Sequence, residues 1–237
     1  MADMGAPQDN TRMATGREID RIPWVGVLST DDRAWVVPRL RVRECTAGEF
    51  VLRAGDLPTH WYGVVEGMLK VDHVDDAAEH LTFSGIPAGG WFGEGTLIKG
   101  HPFLFSVQAL RKSVVACLAA ADFQALTQRS IAFNRYAMGQ LNERLAQFIA
   151  AREIDRMADD EQRLACSLLW LRNPVLFPSA GDVLMITQQD LSNLIGMSRQ
   201  RVNKALAALE GRGVLRVEYR TLRFLDPQKL RDSAAAL

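Results

Sequence analysis

The spacing of apolar residues divides the chain into three parts. From about residue 21 to 121, short apolar stretches are separated by glycines, and ten of the 18 glycines fall between Gly48 and Gly100. Short strands separated by turn residues at intervals of about 8–12 residues are typical of a β-sandwich or barrel. The stretches that predict strands are 49–52, 61–65, 68–71, 81–86, 103–110 and 113–118. Residues 1–20 show no sustained periodicity and predict a flexible arm.

The second part, residues 123–160, has a helical pattern. Asp122 is a good N-cap, and helix-forming residues follow it to about Leu171. Four apolar residues recur at the spacings of a heptad seam, and they are Met138, Leu141, Leu145 and Phe148. A long helix between two domains, each with its own apolar residues, buries such a stripe most simply against a second copy, so we expect a homodimer. The alternative is a stripe that packs on its own domain.

In the third part, residues 161–237, the most informative segment begins at Thr187. This residue is a good N-cap, with Asp190 three positions later. Gly196 tolerates the positive φ of a turn, and Ser198 caps a second helix that runs to about Glu210. Two short helices joined by a glycine-containing turn are a helix-turn-helix unit. Two candidate strands follow as a hairpin, 214–217 and 221–225.

The second helix of this unit has two different faces. Val202, Ala205, Leu206 and Leu209 fall within an arc of about 100° and predict the buried side. The opposite side carries amides and cations and lacks a carboxylate; these groups read base edges in the DNA major groove. The alternative is an ordinary solvated face of an α-helical domain. The residues predicted to contact DNA are Thr187, Gln188, Gln189, Ser198, Arg199, Gln200, Arg201, Asn203, Lys204 and Arg220, the last at the hairpin tip.

The charge distribution favours the DNA interpretation. The chain has 28 Lys and Arg against 28 Asp and Glu, but residues 161–237 hold 11 and 7 of these, which leaves 17 and 21 for residues 1–160. A basic end in a neutral protein indicates a polyanionic partner. The longest apolar run, Val114–Ala121, is far shorter than the roughly 20 residues of a membrane-spanning helix. With no secretory signal pattern at the N-terminus, we expect a cytoplasmic protein without a membrane partner.

Several motifs together resemble one known family. The segments Ile186–Leu191 and Ile195–Val202, with Gly67 and the run Gly89–Glu94, are similar to motifs of the cyclic AMP receptor protein/FNR (Crp/Fnr) family of bacterial transcription regulators. The resemblance covers about residues 22–230. It implies an α+β fold: an N-terminal double-stranded β-helix (jelly-roll, cyclic-nucleotide-binding-like) sensor domain over 21–122, a linking and dimerisation helix over 123–160, and a C-terminal winged helix-turn-helix domain over 161–237.

The resemblance also implies partners and residue roles. The partners are double-stranded DNA, a second copy of the chain and RNA polymerase. Arg199 would read guanine, Lys204 a second base or a phosphate, and Thr187 and Gln188 would hold phosphates. Gln200 stands where the family often has Glu, so we expect a shifted half-site.

The effector pocket that the resemblance implies departs from the family pattern. In members that bind cyclic AMP, an Arg-Ser pair follows Gly-Glu by about ten residues and clamps the cyclic phosphate. Here Phe103-Leu104 stands in that place, and Phe148-Ile149 replaces the family's hydroxyl residues on the dimer helix. We therefore do not expect cyclic AMP, and the effector is unknown. The candidate pocket residues are Gly93, Glu94, Gly95, Phe103, Leu104 and Phe148.

Other functions were weighed on the same residues. The iron–sulfur sensor of FNR needs four cysteines. This chain has three, Cys45, Cys117 and Cys166, and they lie far apart in the sequence. We therefore expect neither an iron–sulfur cluster nor a disulfide framework. A cyclic dinucleotide or haem stays open as effector, since His60, His73, His80 and His101 are present. A cupin-like metal enzyme needs a His-x-His pair, and this sequence has none. It also lacks a G-x-S-x-G motif and a P-loop. We therefore expect neither an enzyme nor a metal site. A signalling module that binds only protein is a further alternative.

Overall fold

The computed structural model describes residues 11–74 and 80–235. The flexible arm predicted over 1–20 is wrong from residue 11 onward. Strand β1 (Arg12–Met13) pairs antiparallel with strand β2 (Arg41–Cys45), and helix α1 (Gly16–Ile19) follows. Thr15 and Glu18 cap α1 reciprocally, and Arg12 donates to Glu18 at 2.8 Å. Local capping, which needs no hydrophobic periodicity, thus orders this segment; residues 1–10 lie outside the described part.

The N-terminal domain is a β-roll of two antiparallel sheets. The further strands are β3 (Phe50–Leu52), β4 (His60–Glu66), β5 (Met68–Val74), β6 (His80–Pro87), β7 (Trp91–Phe92), β8 (Ser106–Ala109) and β9 (Ser113–Ala119). One sheet has the order β1-β2-β9-β4-β7 and the other β3-β8-β5-β6. The predicted jelly-roll architecture is confirmed.

One predicted strand is shorter than expected. The apolar run 103–110 predicts a strand along its whole length, but β8 begins only at Ser106. The backbone of Phe103 instead bonds the turn before β4, since its N–H donates to Asp56 O at 3.0 Å and its carbonyl accepts from Gly55 N at 2.8 Å. The Phe103 side chain is buried in the core between the sheets.

The remaining elements are mostly helices. They are α2 (Thr30–Val36), α3 (Glu94–Lys99), α4 (Ala120–Arg129), α5 (Ile131–Ile154), α6 (Asp160–Trp170), β10 (Val183–Leu184), α7 (Gln188–Ile195), α8 (Arg199–Gly211), β11 (Leu215–Glu218), β12 (Thr221–Phe224) and α9 (Pro227–Ala235). Strands β10, β12 and β11 form a three-stranded sheet beside α6–α8.

The single linking helix predicted over 123–160 is wrong in its limits. Ser130 has an extended backbone and caps α5 through a bond from Phe133 N, so α4 and α5 are separate helices. A second break precedes α6, which Asp159 caps. Asp122 is not an N-cap; it lies in the first turn of α4 and pairs with Arg39 at 3.3 Å. Helix propensity alone does not reveal such breaks, because capping serines also occur inside helices.

Aromatic side chains join α4 and α5 to the β-roll. Trp24, Trp61 and Trp91 are buried together with Phe123 of α4 and Phe133 of α5. The ring centroids of Trp61 and Trp91 are 4.4 Å apart, and those of Trp61 and Phe133 are 5.5 Å apart. The start of the long helix α5 is therefore fixed to the β-roll.

The C-terminal domain also packs on the β-roll. Met68 of β5 is fully buried in the hydrophobic core of the C-terminal domain. A Cβ at Gly85 of β6 would lie 2.6 Å from Met68 Cε and 3.0 Å from Leu171 Cδ2, so the ends of these side chains pack directly on the glycine and would have to shift for a larger residue. The first helix of the helix-turn-helix, α7, contacts β6 in the same region.

Candidate nucleic-acid interface

Local capping forms the two helices of the helix-turn-helix. Thr187 Oγ1 accepts from Asp190 N at 3.0 Å, and its hydroxyl donates to the Asp190 carboxylate at 2.5 Å. Gly196 ends α7 with a φ of +64°, a conformation that favours glycine. Ser198 Oγ accepts from Arg201 N at 3.3 Å and starts α8. The predicted caps and turn are confirmed.

Helix α8 has the two faces that its sequence predicts. Val202, Leu206 and Leu209 are buried in the core of the C-terminal domain. Arg199, Gln200 and Lys204 are exposed. In the described part of the chain neither Arg199 nor Lys204 forms an ion pair, so both cations are available to an anionic partner.

Of the predicted contact residues, one is bonded to another helix and a second is half-buried. Arg201 Nε lies 2.9 Å from Asp160 Oδ2 of α6, and this hydrogen bond lowers the pKa of Asp160. Asn203 is half-buried, and its Oδ1 has no hydrogen-bond partner among the described residues. The residues predicted for the outer face of α8 include no carboxylate, but Asp160 of α6 brings one to the edge of that face at Arg201. In this structure Arg201 positions α8 on α6.

The hairpin after α8 forms a wing whose tip is Tyr219-Arg220. Glu218, predicted to lie in the tip, is the last residue of β11 and pairs with Arg223 at 3.0 Å. Arg220 has a φ of +54°, which is strained for a residue with a side chain. Val217 N donates to Glu210 Oε1 at 2.8 Å, so the wing is held to the end of α8.

A cleft of about 490 Å³ lies between α7, α8 and the wing. It combines eight polar residues with an apolar floor. Five of the eight belong to the predicted contact set, and these are Thr187, Gln188, Gln189, Arg199 and Arg220. The other three, Glu218, Tyr219 and Thr221, come from the wing. Gln189 points along α7, with Nε2 3.0 Å from Asn193 Oδ1. The one carboxylate among these lining residues, Glu218, is paired with Arg223, so the cations and amides of the cleft remain suited to a nucleic-acid backbone and base edges.

Comparison with known domain families covers both halves of the molecule. The cyclic nucleotide-binding domain family matches residues 42–130, and the Crp-like helix-turn-helix domain family matches residues 162–233. The chain belongs to the Crp/Fnr family. It is a DNA-binding transcriptional regulator, and its related proteins are regulators and not enzymes.

Individual relatives agree with this assignment. The transcriptional regulator SdrP of Thermus thermophilus is 27% identical over 177 residues, which are 73% of this chain and 83% of SdrP. The cAMP-activated global transcriptional regulator CRP of Haemophilus influenzae is 23% identical over 193 residues, 79% of this chain and 85% of that protein. The nitrogen fixation regulation protein FixK of Bradyrhizobium diazoefficiens is 23% identical over 198 residues, 81% of each chain.

Solved structures show the same fold. FixK2 from Bradyrhizobium japonicum superposes with a TM-score of 0.68 at 15% identity, over 83% of this chain and 98% of that one. A Crp/Fnr-family transcriptional regulator of Thermus thermophilus superposes with a TM-score of 0.57 at 25% identity, over 82% and 98% of the two chains.

The turn that was predicted to hold an effector packs against this chain's own side chains. Gly93 has a φ of +96°, and a Cβ there would lie 3.3 Å from Phe103 Cε1. Glu94 is 1% exposed, and Arg144 of α5 donates to it from Nε at 3.1 Å. Arg144 Nη2 also donates to Trp91 O at 2.7 Å. Sequence reasoning missed Arg144, because it looked for a guanidinium only in the stretch after Glu94.

The other predicted pocket residues do not gather there. Leu104 is 82% exposed and Phe148 is 55% exposed, so both side chains point away from the core. Gly95 faces α5, where a Cβ would lie 3.5 Å from Leu141 Cδ2. The structure thus brings Gly93, Glu94 and Phe103 together and separates Leu104 and Phe148 from them.

The predicted seam on α5 is largely open in the single chain. Met138 and Leu145 are each 60% exposed, and Phe148 and its neighbour Ile149 are exposed as well. Leu141 is half-buried toward α3, so it alone fits the alternative of packing on its own domain.

Within residues 11–74 and 80–235, no three His, Cys, Asp or Glu side chains lie close enough together to hold a metal ion. His101 is exposed, and the side chains of His73 and His80 lie outside the described residues. None of the described helices is long and apolar enough to cross a membrane.

Proposed function

We propose that this Crp/Fnr protein is a homodimer that reads an inverted-repeat operator through α8. In this proposal Arg199, Gln200 and Lys204 contact base edges in the major groove, and Thr187 and Arg220 hold backbone phosphates. The observation that carries it is the exposed amide-and-cation face of a helix whose other face is fixed in the domain core. Amides and guanidinium groups form the bidentate contacts that distinguish adenine and guanine.

The exposed seam of α5 supports dimerisation with a second copy of the chain. Three large apolar side chains on one helix are unusual on a monomer surface, and a twofold-related copy of the same helix covers them in a self-complementary way. Two α8 helices related by this axis would enter successive major grooves about 34 Å apart. That spacing accounts for an inverted repeat with one helical turn between half-site centres.

The sensor domain has not kept a cyclic AMP site in this proposal. Phe103 covers Gly93, and Arg144 uses the Glu94 carboxylate that a ligand hydroxyl would otherwise meet. The ion pair joins the β-roll to α5, which also carries the seam, so it fixes the dimer helix without a ligand. The protein then binds its operator in the cytoplasm, where RNA polymerase would be a further partner.

A mobility-shift experiment with purified protein tests this function. A duplex pool of mixed sequence is retained at low salt, and retention falls steeply as salt rises because counterions are released from several phosphates. Adding cyclic AMP leaves the affinity unchanged. Absence of any retained DNA would contradict the proposal and favour a protein-binding signalling module instead.

A further inference from the structure

A second basic surface lies beside the helix-turn-helix, on the sensor domain. Residues 110–112 form the turn between β8 and β9, and this turn faces the start of α7. Arg111 Nη1 donates to Met185 O at 2.9 Å, two residues before Thr187, and Nη2 donates to Gly67 O at 3.1 Å. The two bonds hold the turn at a defined position relative to the phosphate-binding end of α7.

The turn shares a surface with the DNA-facing cleft. A junction cavity of about 330 Å³ is lined by Arg111 and Lys112 from the turn and by Thr187 and Arg220 from the C-terminal domain. Thr187 and Arg220 also line the cleft that holds Arg199. Arg199 does not line the junction cavity, so the turn lies on the far side of Thr187 and Arg220 from the base-reading helix.

Lys112 is the residue of the turn that is free to change partner. Its side chain is 73% exposed, and its ammonium pairs with Glu44, which is itself 58% exposed, at 2.7 Å. Exposed ion pairs of this kind are weak because solvent screens them, so a phosphate can replace the carboxylate as the partner of Lys112. The carboxylate of Glu66 also attracts the Lys112 ammonium electrostatically. Asp190 lines the junction cavity, but its carboxylate accepts a hydrogen bond from the Thr187 hydroxyl.

We infer that the β8–β9 turn is a second DNA contact, in which Lys112 binds a backbone phosphate outside the half-site. This inference rests on the proposed function and adds a partner surface to it. A duplex held by Thr187 and Arg220 continues past the wing toward the sensor domain, where Lys112 and the half-buried Arg111 supply positive charge. The contact reads no base, and it lengthens the stretch of DNA that each subunit covers.

The test compares two duplexes that carry the same selected inverted repeat. One ends flush with the half-sites, and the other extends about ten base pairs, one helical turn, on each side. Fluorescence anisotropy gives the dissociation constant of each duplex over a range of salt. We expect the wild-type protein to bind the extended duplex more tightly and with a steeper salt dependence.

Lys112→Ala should remove the advantage of the extended duplex and leave the flush duplex unaffected. The slope of log K against log salt on the extended duplex should become less negative by about one for each phosphate that the variant no longer binds. Lys112→Arg should keep the advantage. The control is Lys99→Ala, which removes an exposed lysine from α3 of the same domain, away from the junction cavity.

Each outcome separates this inference from the proposed function. If the wild-type protein binds both duplexes equally, or if Lys112→Ala weakens both equally, the second contact does not exist but the operator-binding function stands. If the wild-type protein binds neither duplex, the proposed function itself fails. Thermal unfolding midpoints of the variants that match the wild type show that weaker DNA binding is not a folding defect.

Discussion

The buried pair between Glu94 and Arg144 allows a quantitative prediction. Arg144→Ala leaves Glu94 in the core with one remaining described side-chain donor, Trp61 Nε1 at 3.4 Å, and it also removes the bond to Trp91 O. Removing one partner of a buried ion pair costs about 3–5 kcal/mol. Because the Arg144 side chain is 23% exposed, water recovers part of that cost, and we expect about 3 kcal/mol.

A double-mutant cycle measures this pair. A loss of about 3 kcal/mol lowers the unfolding midpoint by roughly 6–12 °C in a chain of this size. Glu94→Gln in the Arg144→Ala background should restore most of the stability, since the unpaired charge is gone, and the coupling free energy should exceed about 1 kcal/mol. Urea unfolding followed by tryptophan fluorescence reports directly on this region, because Trp61 and Trp91 lie beside the pair. A single-variant loss below 1 kcal/mol, or no rescue, would refute the assignment of Arg144 as the internal partner of Glu94.

Three further predictions concern the DNA-binding face and the dimer. Arg199→Ala should cost about 1–3 kcal/mol of binding free energy on the selected operator and relax the sequence preference of the protein. Arg201→Ala should instead weaken binding to all DNA alike. If Arg199→Ala weakened binding to random DNA by the same amount, Arg199 would be a phosphate contact. Phe148→Glu should weaken dimerisation by about 3–6 kcal/mol per dimer, because it removes two aromatic rings from the interface. Sedimentation measures this loss, and Asn142→Glu at an exposed position of the same helix is the control. Unchanged association of Phe148→Glu would exclude the seam as the dimer interface. Arg220→Gly should relieve the left-handed backbone strain, so the free energy of unfolding should stay the same or rise by up to about 1 kcal/mol. The slope of log K against log salt for DNA binding should become less negative by about one. A destabilised protein would contradict this account of the wing tip.

Features that depend on neighbouring residues were predictable from the sequence. Thr187, Gly196 and Ser198 each act on backbone groups within four positions, so the two helices and their turn follow from residue type and spacing. The buried arc of α8 follows in the same way from its period. Among the described residues, six of the nine β-roll strands fall in predicted stretches, because glycines and turn residues separate them; β1, β2 and β7 do not.

Features that join distant parts of the chain were not predictable in this way. Arg201 and Asp160 are 41 positions apart, and Arg144 and Glu94 are 50 apart. Which side chains meet across such separations depends on how helices pack, and no local period encodes it. The break at Ser130 was missed for a different reason: its cap is local, since Ser130 accepts from Phe133 N, but serine also occurs inside helices, so residue type alone does not mark the break.

The central claim is that the exposed face of α8, presented twice by a symmetric dimer, selects a DNA sequence. Selection of bound duplexes from a random pool, at a salt concentration that suppresses nonspecific retention, measures this directly. We predict enrichment of an inverted repeat whose half-site centres are about 10 base pairs apart, or a multiple of that spacing, and loss of the preference at one base pair of each half-site with Arg199→Ala. A bound pool with no enriched sequence, or a single asymmetric site without a repeat, would contradict it.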